Sequence, residues 1–388
     1  MLPSIVRYVS SLKGHEGKIC FGLVLAAQDG APQQVLNLTA IRPALGSSFA
    51  TFVGNDGFRL ADEMFEPAAR KRHAGLFETL DADNLAKILK PPVDVSLSDL
   101  EAGKRFIIGV GFNYAQHRKE TDSGIDKFMF AKFVVPTGPY EPVSLGKRAG
   151  LKGPKLLVDY EAEIGFVLLE EIDLNNPPND RDAFDEKIAF FAANDVTDRL
   201  PLILEGERAF TRAKSHPSYL PIGPWMVHGR HLKLRTRSGG EEALRLWLRI
   251  DEAEPFSGGT WRQDASSADI IRGPFEIIRM AAEIYQRSIR PDTAGIPRGI
   301  ARTAGGRMII PAGSLVITGT PEGTAIEAPT DMDRARLLAR ASISTKKAKQ
   351  LFARHCIANR KEMGFLHVGD IVETQIQYLG RQYWKVRR

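Results

Sequence analysis

The chain has 388 residues, 43% of them hydrophobic and 26% charged, which is apolar mass for one large domain or two ordinary ones and too much for a disordered chain. The formal charge of +6 is concentrated: residues 331–362 hold nine Lys or Arg against three acids, an excess equal to the whole net charge, which argues against a general nucleic-acid-binding surface. Apolar stretches such as 106–112 and 164–169 are too short to span a bilayer, and the distant pair Cys20 and Cys356 fits neither a disulfide framework nor a metal-ligand spacing.

In chain order, the N-terminus has no continuous apolar stretch of the kind a secretory signal needs, and residues 5–9 read as a first strand. With cysteines that imply a reducing compartment, a cytoplasmic location is expected. Residues 1–100 read as a small N-terminal domain, with strands over 18–26 and 34–37 and a helix over 82–89, ended by Pro91 and Pro92. From residue 105 strands dominate, over 105–110, 156–169, 244–250, 315–318 and 371–377, between Gly- and Pro-rich turns. Helices are expected over 183–191 and 274–284, where apolar residues recur at helical spacing. The expected fold is α+β and mainly β, with residues 101–388 as the catalytic domain. No strand runs into a Gly-rich phosphate loop, so Rossmann and P-loop readings have no anchor. The basic segment 331–362 reads as one or two exposed helices with Leu337, Leu338, Ile343, Leu351 and Phe352 as the buried stripe. An insertion packed on the core or at a subunit interface is favoured over a membrane or nucleic-acid contact.

Four segments carry chemistry. At 107–120 an apolar strand ends in Gly109 and Gly111, and His117 and Glu120 then fall three apart, on one face of a helix start. A carboxylate beside a histidine orients the ring and raises its basicity, as a water-activating base requires; taken alone, the pair reads first as a surface contact. At 156–168, strand alternation puts Val158, Tyr160, Ala162, Ile164, Phe166 and Leu168 on a core face. The other face begins with Asp159, Glu161 and Glu163, so either these acids lie in solvent or a cation neutralises them. All-oxygen ligation suits Mg²⁺, Mn²⁺ or Ca²⁺ rather than Zn²⁺. At 190–199 an apolar run meets a polar cluster in which Asp195 could add a third carboxylate, although Asn and Asp also cap ordinary turns. At 319–324 glycines after an apolar strand let backbone approach a ligand, or simply make a tight turn.

Taken together, these segments resemble the fumarylacetoacetate hydrolase superfamily, in the order that family shows them, over about residues 105–380. Gly109-Val110-Gly111-Phe112-Asn113-Tyr114 with His117 and Glu120 resembles its first catalytic motif, and Asp159-Tyr160-Glu161-Ala162-Glu163 its Glu-x-Glu metal motif. Asn194-Asp195-Val196-Thr197-Asp198-Arg199 resembles the strand end that supplies the third metal carboxylate. Ala213-Lys214, followed by Pro221-Ile222-Gly223-Pro224-Trp225, resembles the active-site lysine segment. Arg262-Gln263, Gly319-Thr320-Pro321-Glu322-Gly323 and Val368-Gly369-Asp370 complete the set. The chain departs from the pattern at Phe112, where the family often has Arg, near Asp251 and Glu252, where Asn-Gly is usual, and in the long basic segment after Gly323.

The resemblance implies a β-sandwich roll, usually a homodimer, in which Glu161, Glu163 and Asp195 hold Mg²⁺ or Mn²⁺, with Ca²⁺ an occupant in crystals. It implies that Lys214 stabilises an oxyanion, that Tyr114, Lys132, Arg199 and Thr320 contact substrate, and that His117 and Glu120 deprotonate a water. The expected reaction is hydrolysis of a carbon–carbon bond in a small acylpyruvate-like 2,4-dioxo acid. The alternatives are a dehydratase of 2-keto-3-deoxy sugar acids, a decarboxylase or isomerase of a 2-oxo acid, and a non-catalytic basic protein that binds an acidic partner through residues 331–362.

Overall fold

The computed structural model describes residues 1–115, 128–147, 154–251, 259–288, 299–326 and 344–388. Its centre is set by an apolar run. Residues 188–193 (Ile-Ala-Phe-Phe-Ala-Ala) carry no polar side chain, and they form most of the strand Ile188–Asn194, buried along its whole length. That strand lies antiparallel between Ala162–Leu168 and Ile222–His228. The helix expected over 183–191 is therefore corrected: only Arg181–Asp185 is helical. A run apolar on every side satisfies a fully buried strand as well as a buried helix, and here two strand neighbours decide the matter.

Such a strand needs cover on both faces. On one face Ile164, Phe166, Phe190 and Ala192 share a core with Leu246, Leu248, Val372, Ile376 and Trp384. The latter belong to a five-stranded sheet ordered Thr260–Ser266, Arg245–Asp251, Ile371–Ile376, Gly380–Arg387, Val143–Ser144. Gln382 ties the two sheets, donating from Nε2 to the carbonyls of Ala192 at 2.8 Å and Gly223 at 3.0 Å. On the other face Val167, Phe191, Ala193 and Met226 pack with Phe49, Phe52, Phe58 and Leu60, from the helices Phe49–Gly54 and Gly57–Phe65. The core face expected of Val158, Tyr160, Ala162, Ile164, Phe166 and Leu168 is found as expected, all six in the inter-sheet cluster.

Among the described residues the main sheet has eleven strands. Beyond Ile222–His228 it continues through Ser4–Val9, Ile19–Gln28, Ala31–Asn37 and Phe77–Thr79, so residues of the first hundred pair directly with the central strands. On the opposite side Leu315–Ile317 pairs antiparallel with Ala162–Leu168 and parallel with Ile107–Gly111, which pairs in turn with Phe128–Ala131. Strand, at 34%, exceeds helix, at 29%, and among the described residues the sheets close no barrel.

The helix expected over 274–284 is found as Pro274–Ser288. Within the basic segment, Thr345–Ala358 is helical and packs on the helix Arg199–Glu205. Its buried positions are Ala353 and Cys356, while Leu351 and Phe352 are half-buried; Leu337, Leu338 and Ile343 lie outside the described residues. Among the described residues no helix is long and apolar enough to cross a membrane.

Candidate active site

The ends of two central strands gather the acids. The pairing of Ala162–Leu168 with Ile188–Asn194 ends at Ala162 opposite Asn194. One residue further the Asp195 amide still donates to the Glu161 carbonyl at 2.8 Å. Glu161 and Glu163 alternate with the core-facing Ala162 and Ile164, so their side chains point away from the inter-sheet core. They meet Asp195, with one carboxylate oxygen from each lying within 4.8 Å of the others. All three are buried, at 5%, 2% and 0% exposure. Oxygens on opposite sides of one hard cation stand about 4–5 Å apart, so this donor set fits Mg²⁺, Mn²⁺ or Ca²⁺.

Three buried cations flank the acids. Lys214, at the end of helix Phe210–Lys214, donates to Glu161 Oε2 at 2.7 Å and to Asp195 Oδ2 and Thr197 Oγ1 at 2.8 Å each. Lys132, just after Phe128–Ala131, donates to Asp195 Oδ1 and to the Tyr219 carbonyl, the latter at 2.6 Å. Arg199 opens the helix Arg199–Glu205, where the Asp198 side chain caps the Leu200 amide. It pairs through Nε with Asp159 Oδ2 and through Nη2 with Glu161 Oε1, both at 2.7 Å. Asp159 also accepts from the Ala325 amide at 2.9 Å. It is thus drawn away from the triad, although the strand pattern groups it with Glu161 and Glu163.

The charges act on one another. Burial first, then the Asp195 and Glu161 carboxylates, hold Glu163 well above the usual carboxylate range, against the opposing pull of Lys214 and the Gly319 amide. For Lys214 burial acts to lower the pKa, but Asp195 and Glu161 outweigh it and raise it. For Lys132 burial wins over Asp195 and lowers it. Burial and the crowding of three carboxyls, which together raise the Glu163 pKa, are what a bound cation would relieve.

The loop after Leu315–Ile317 closes the site. Gly319 takes φ +95°, and a Cβ there would lie 2.9 Å from the Val110 carbonyl oxygen, so only glycine fits. Its amide donates to Glu163 Oε2 at 2.8 Å. Gln263 staples the loop to the acidic strand: Oε1 accepts from the Ala162 amide at 2.9 Å, while Nε2 donates to Thr320 Oγ1 at 2.8 Å. Tyr114 is fully buried, and among the described residues its hydroxyl has no hydrogen-bond partner. Burial, then the Glu163 charge, pushes that hydroxyl's pKa well up.

Of the residues picked out from sequence, Glu161, Glu163, Asp195, Lys214, Lys132 and Arg199 thus come together, with Thr320 and Tyr114 at their border. His117 and Glu120 lie outside the described residues. Sequence reasoning missed Thr197, which stands two residues after Asp195 and accepts from Lys214, and the Tyr219 carbonyl that holds Lys132. A main-chain acceptor leaves no trace in side-chain identity, so Tyr219 had no signal to find.

A family model described as fumarylacetoacetate (FAA) hydrolase, C-terminal, matches residues 106–387. Among solved structures, the fumarylacetoacetate hydrolase of psychrophilic Exiguobacterium antarcticum is 18% identical, with TM-score 0.59 over 99% of both chains. The 5-carboxymethyl-2-hydroxymuconate delta-isomerase of Mycobacterium smegmatis is also 18% identical, with TM-score 0.54 over 99% of both chains. Maleylpyruvate hydrolase of Sphingobium sp. SYK-6, solved with manganese(II) and pyruvate, is 15% identical, with TM-score 0.56 over 99% of this chain and 98% of its own. At these identities the likeness is one of fold. A Burkholderia multivorans protein with a provisional hydrolase name is 28% identical over 159 residues, 39% of this chain and 50% of its own. The match spans about half the length of the curated relatives.

Proposed function

The chain belongs to the fumarylacetoacetate hydrolase family, and from that premise we propose that it is a divalent-cation-dependent hydrolase that cleaves a carbon–carbon bond in a small acylpyruvate-like 2,4-dioxo acid. The observation that carries this reading is the buried triad Glu161, Glu163 and Asp195, with two lysines set against it. The triad would hold Mg²⁺ or Mn²⁺. When bound, such a cation supplies Lewis-acid polarisation of the oxygens of a 2-oxo acid. Lys214, fixed by three acceptors and kept protonated by its acidic neighbours, places a permanent positive charge where negative charge develops beside the carbonyl. The Gly319–Thr320 loop, anchored by Gln263, offers backbone and hydroxyl groups to the substrate carboxylate. Lys132 and Arg199 keep Asp195 and Glu161 in place. Removal of the proton from the attacking water is assigned to His117, oriented by Glu120. The manganese and pyruvate in the structure of the maleylpyruvate hydrolase support both the cation and the 2-oxo acid.

Product masses test the proposal. Acylpyruvates and 2-keto-3-deoxy acids are incubated with the protein and Mg²⁺ or Mn²⁺, with a chelated control. Cation-dependent cleavage with gain of water is expected; loss of water would make the enzyme a dehydratase, and an unchanged mass with a shifted double bond an isomerase. Glu161→Gln should weaken Mn²⁺ binding by about 100-fold or more, beyond the effect of losing an outer partner. His117→Ala should abolish turnover with Mn²⁺ affinity intact.

A further inference from the structure

Four phenylalanine rings meet beside the carboxylate centre. Phe128 and Phe130 stand on Phe128–Ala131, Phe210 opens the helix that ends in Lys214, and Phe112 follows Ile107–Gly111. Phe210 is the hub, its centroid 4.7 Å from Phe128, 5.3 Å from Phe130 and 6.1 Å from Phe112. Lys214 joins the rings to the acids: its Nζ stands 5.4 Å from the Phe130 centroid and 6.0 Å from that of Phe210 while donating to Glu161 and Asp195.

The neighbouring strand is cut away to seat these rings. Gly109 lies opposite Phe130 and Gly111 opposite Phe128. A Cβ at 109 would come within 2.1 Å of the Phe130 ring, and one at 111 within 2.6 Å of the Phe128 ring. Glycine weakens a strand, so two of them in five residues mark a close approach that the fold keeps at some expense. Phe112 has φ +57°, a left-handed backbone that a bulky residue rarely adopts, and such strain gathers at ligand sites. Phe112, Phe128 and Phe210 are only half-buried, so the rings form a wall rather than a sealed core.

The wall itself, among the described residues, is built of apolar rings. Among the described residues Lys214 is the cation recorded over these rings. Its three N–H donors already meet three acceptors, Glu161, Asp195 and Thr197. A carboxylate placed against the ring carbons would lose water and gain no partner from them.

We propose that the four rings receive the substituent on the substrate's distal carbonyl, and that this substituent is aryl or alkyl rather than carboxylate-terminated. The proposal rests on the reading of the centre as a 2-oxo acid site. Calorimetry on the full-length, Mn²⁺-loaded protein tests it without turnover, using two uncleavable 2-oxo acids of similar length, 2-oxo-4-phenylbutanoate and 2-oxoadipate. The phenyl acid should bind at least about tenfold more tightly. Phe210→Arg should cut that ratio by about tenfold with Mn²⁺ affinity kept. Phe210→Leu, a milder change should the arginine variant fail to fold, should lower the ratio by less. Equal binding, or tighter binding of 2-oxoadipate, would overturn the aromatic-wall proposal and leave the 2-oxo acid reading standing. If neither acid bound while Mn²⁺ did, both would fall.

Discussion

Asp185 ends the helix Arg181–Asp185 with a residue only 8% exposed, and burial raises its pKa to about 6, against the opposing pull of Arg181. A carboxyl raised in the folded state contributes stability that is full below its ordinary pKa of about 4 and is lost as pH rises through about 6. Above that pH the chain carries a buried charge it would be better without. Asp185→Asn should therefore stabilise the protein by about 1 kcal/mol at pH 8, after allowance for solvent screening, and by nothing measurable at pH 4. Thermal unfolding at the two pH values checks this; an equal gain at both would show that charge is not the cause. Single residues were legible in the sequence where pattern and chemistry coincide. Glu161 and Glu163 announce themselves as alternate acids in a strand otherwise apolar. Asp159 has the same spacing, but its partner Arg199 lies forty residues away, so only the fold reveals that Asp159 holds a loop and an arginine rather than joining the triad. The aromatic wall was illegible for the same reason: Phe112 and Phe210 are far apart in the chain, and what Gly109 and Gly111 accommodate becomes known only when the strands pair.

At the scale of elements, the helix Thr345–Ala358 begins against its own dipole. Ser344 caps it, accepting from the Lys347 amide, but its first turn holds no acid, and Lys346 and Lys347 are exposed there. Cations near a helix N-terminus are unfavourable and acids favourable, by about 0.3–1 kcal/mol each. The double substitution Lys346→Glu/Lys347→Glu should raise the melting temperature and hold kcat/KM within about twofold of the parent, as surface changes away from a site do. A large loss of turnover on the same substrates would instead make the basic segment part of the active machinery and return weight to recognition of an acidic partner. The strand expected over 156–169 was read in part: alternation placed its core face, but the chain divides it into Val158–Asp159, paired with Thr197–Asp198, and Ala162–Leu168 in the main sheet. The run at 188–193 was misread because apolar residues on all sides erase the period that separates helix from strand, and the deciding fact, a neighbour on each edge, is not local.

At the scale of the whole molecule, the first hundred residues bear on whether the catalytic region can stand alone. Read from sequence they form a small unit, and the family match begins only at residue 106. Yet Ser4–Val9 hydrogen-bonds directly to Ile222–His228, which in turn pairs with the strand Ile188–Asn194 that leads into Asp195. The helices Phe49–Gly54 and Gly57–Phe65 also supply Phe52, Phe58 and Leu60 to the apolar face made by Phe191, Ala193 and Met226. Deleting residues 1–100 would turn Ile222–His228 into a bare edge strand and leave that face wet, the two features that drive strand-to-strand aggregation. A chain starting at residue 101 should accordingly be recovered mostly as aggregate, and its soluble remainder should bind Mn²⁺ weakly, because Asp195 sits at the end of a strand that has lost cover. Soluble yield, size-exclusion chromatography and calorimetric Mn²⁺ titration check this together. A monodisperse truncated chain with parental Mn²⁺ affinity would show that the seam at Ser4–Val9 is dispensable and that the N-terminal strands serve something other than the carboxylate centre.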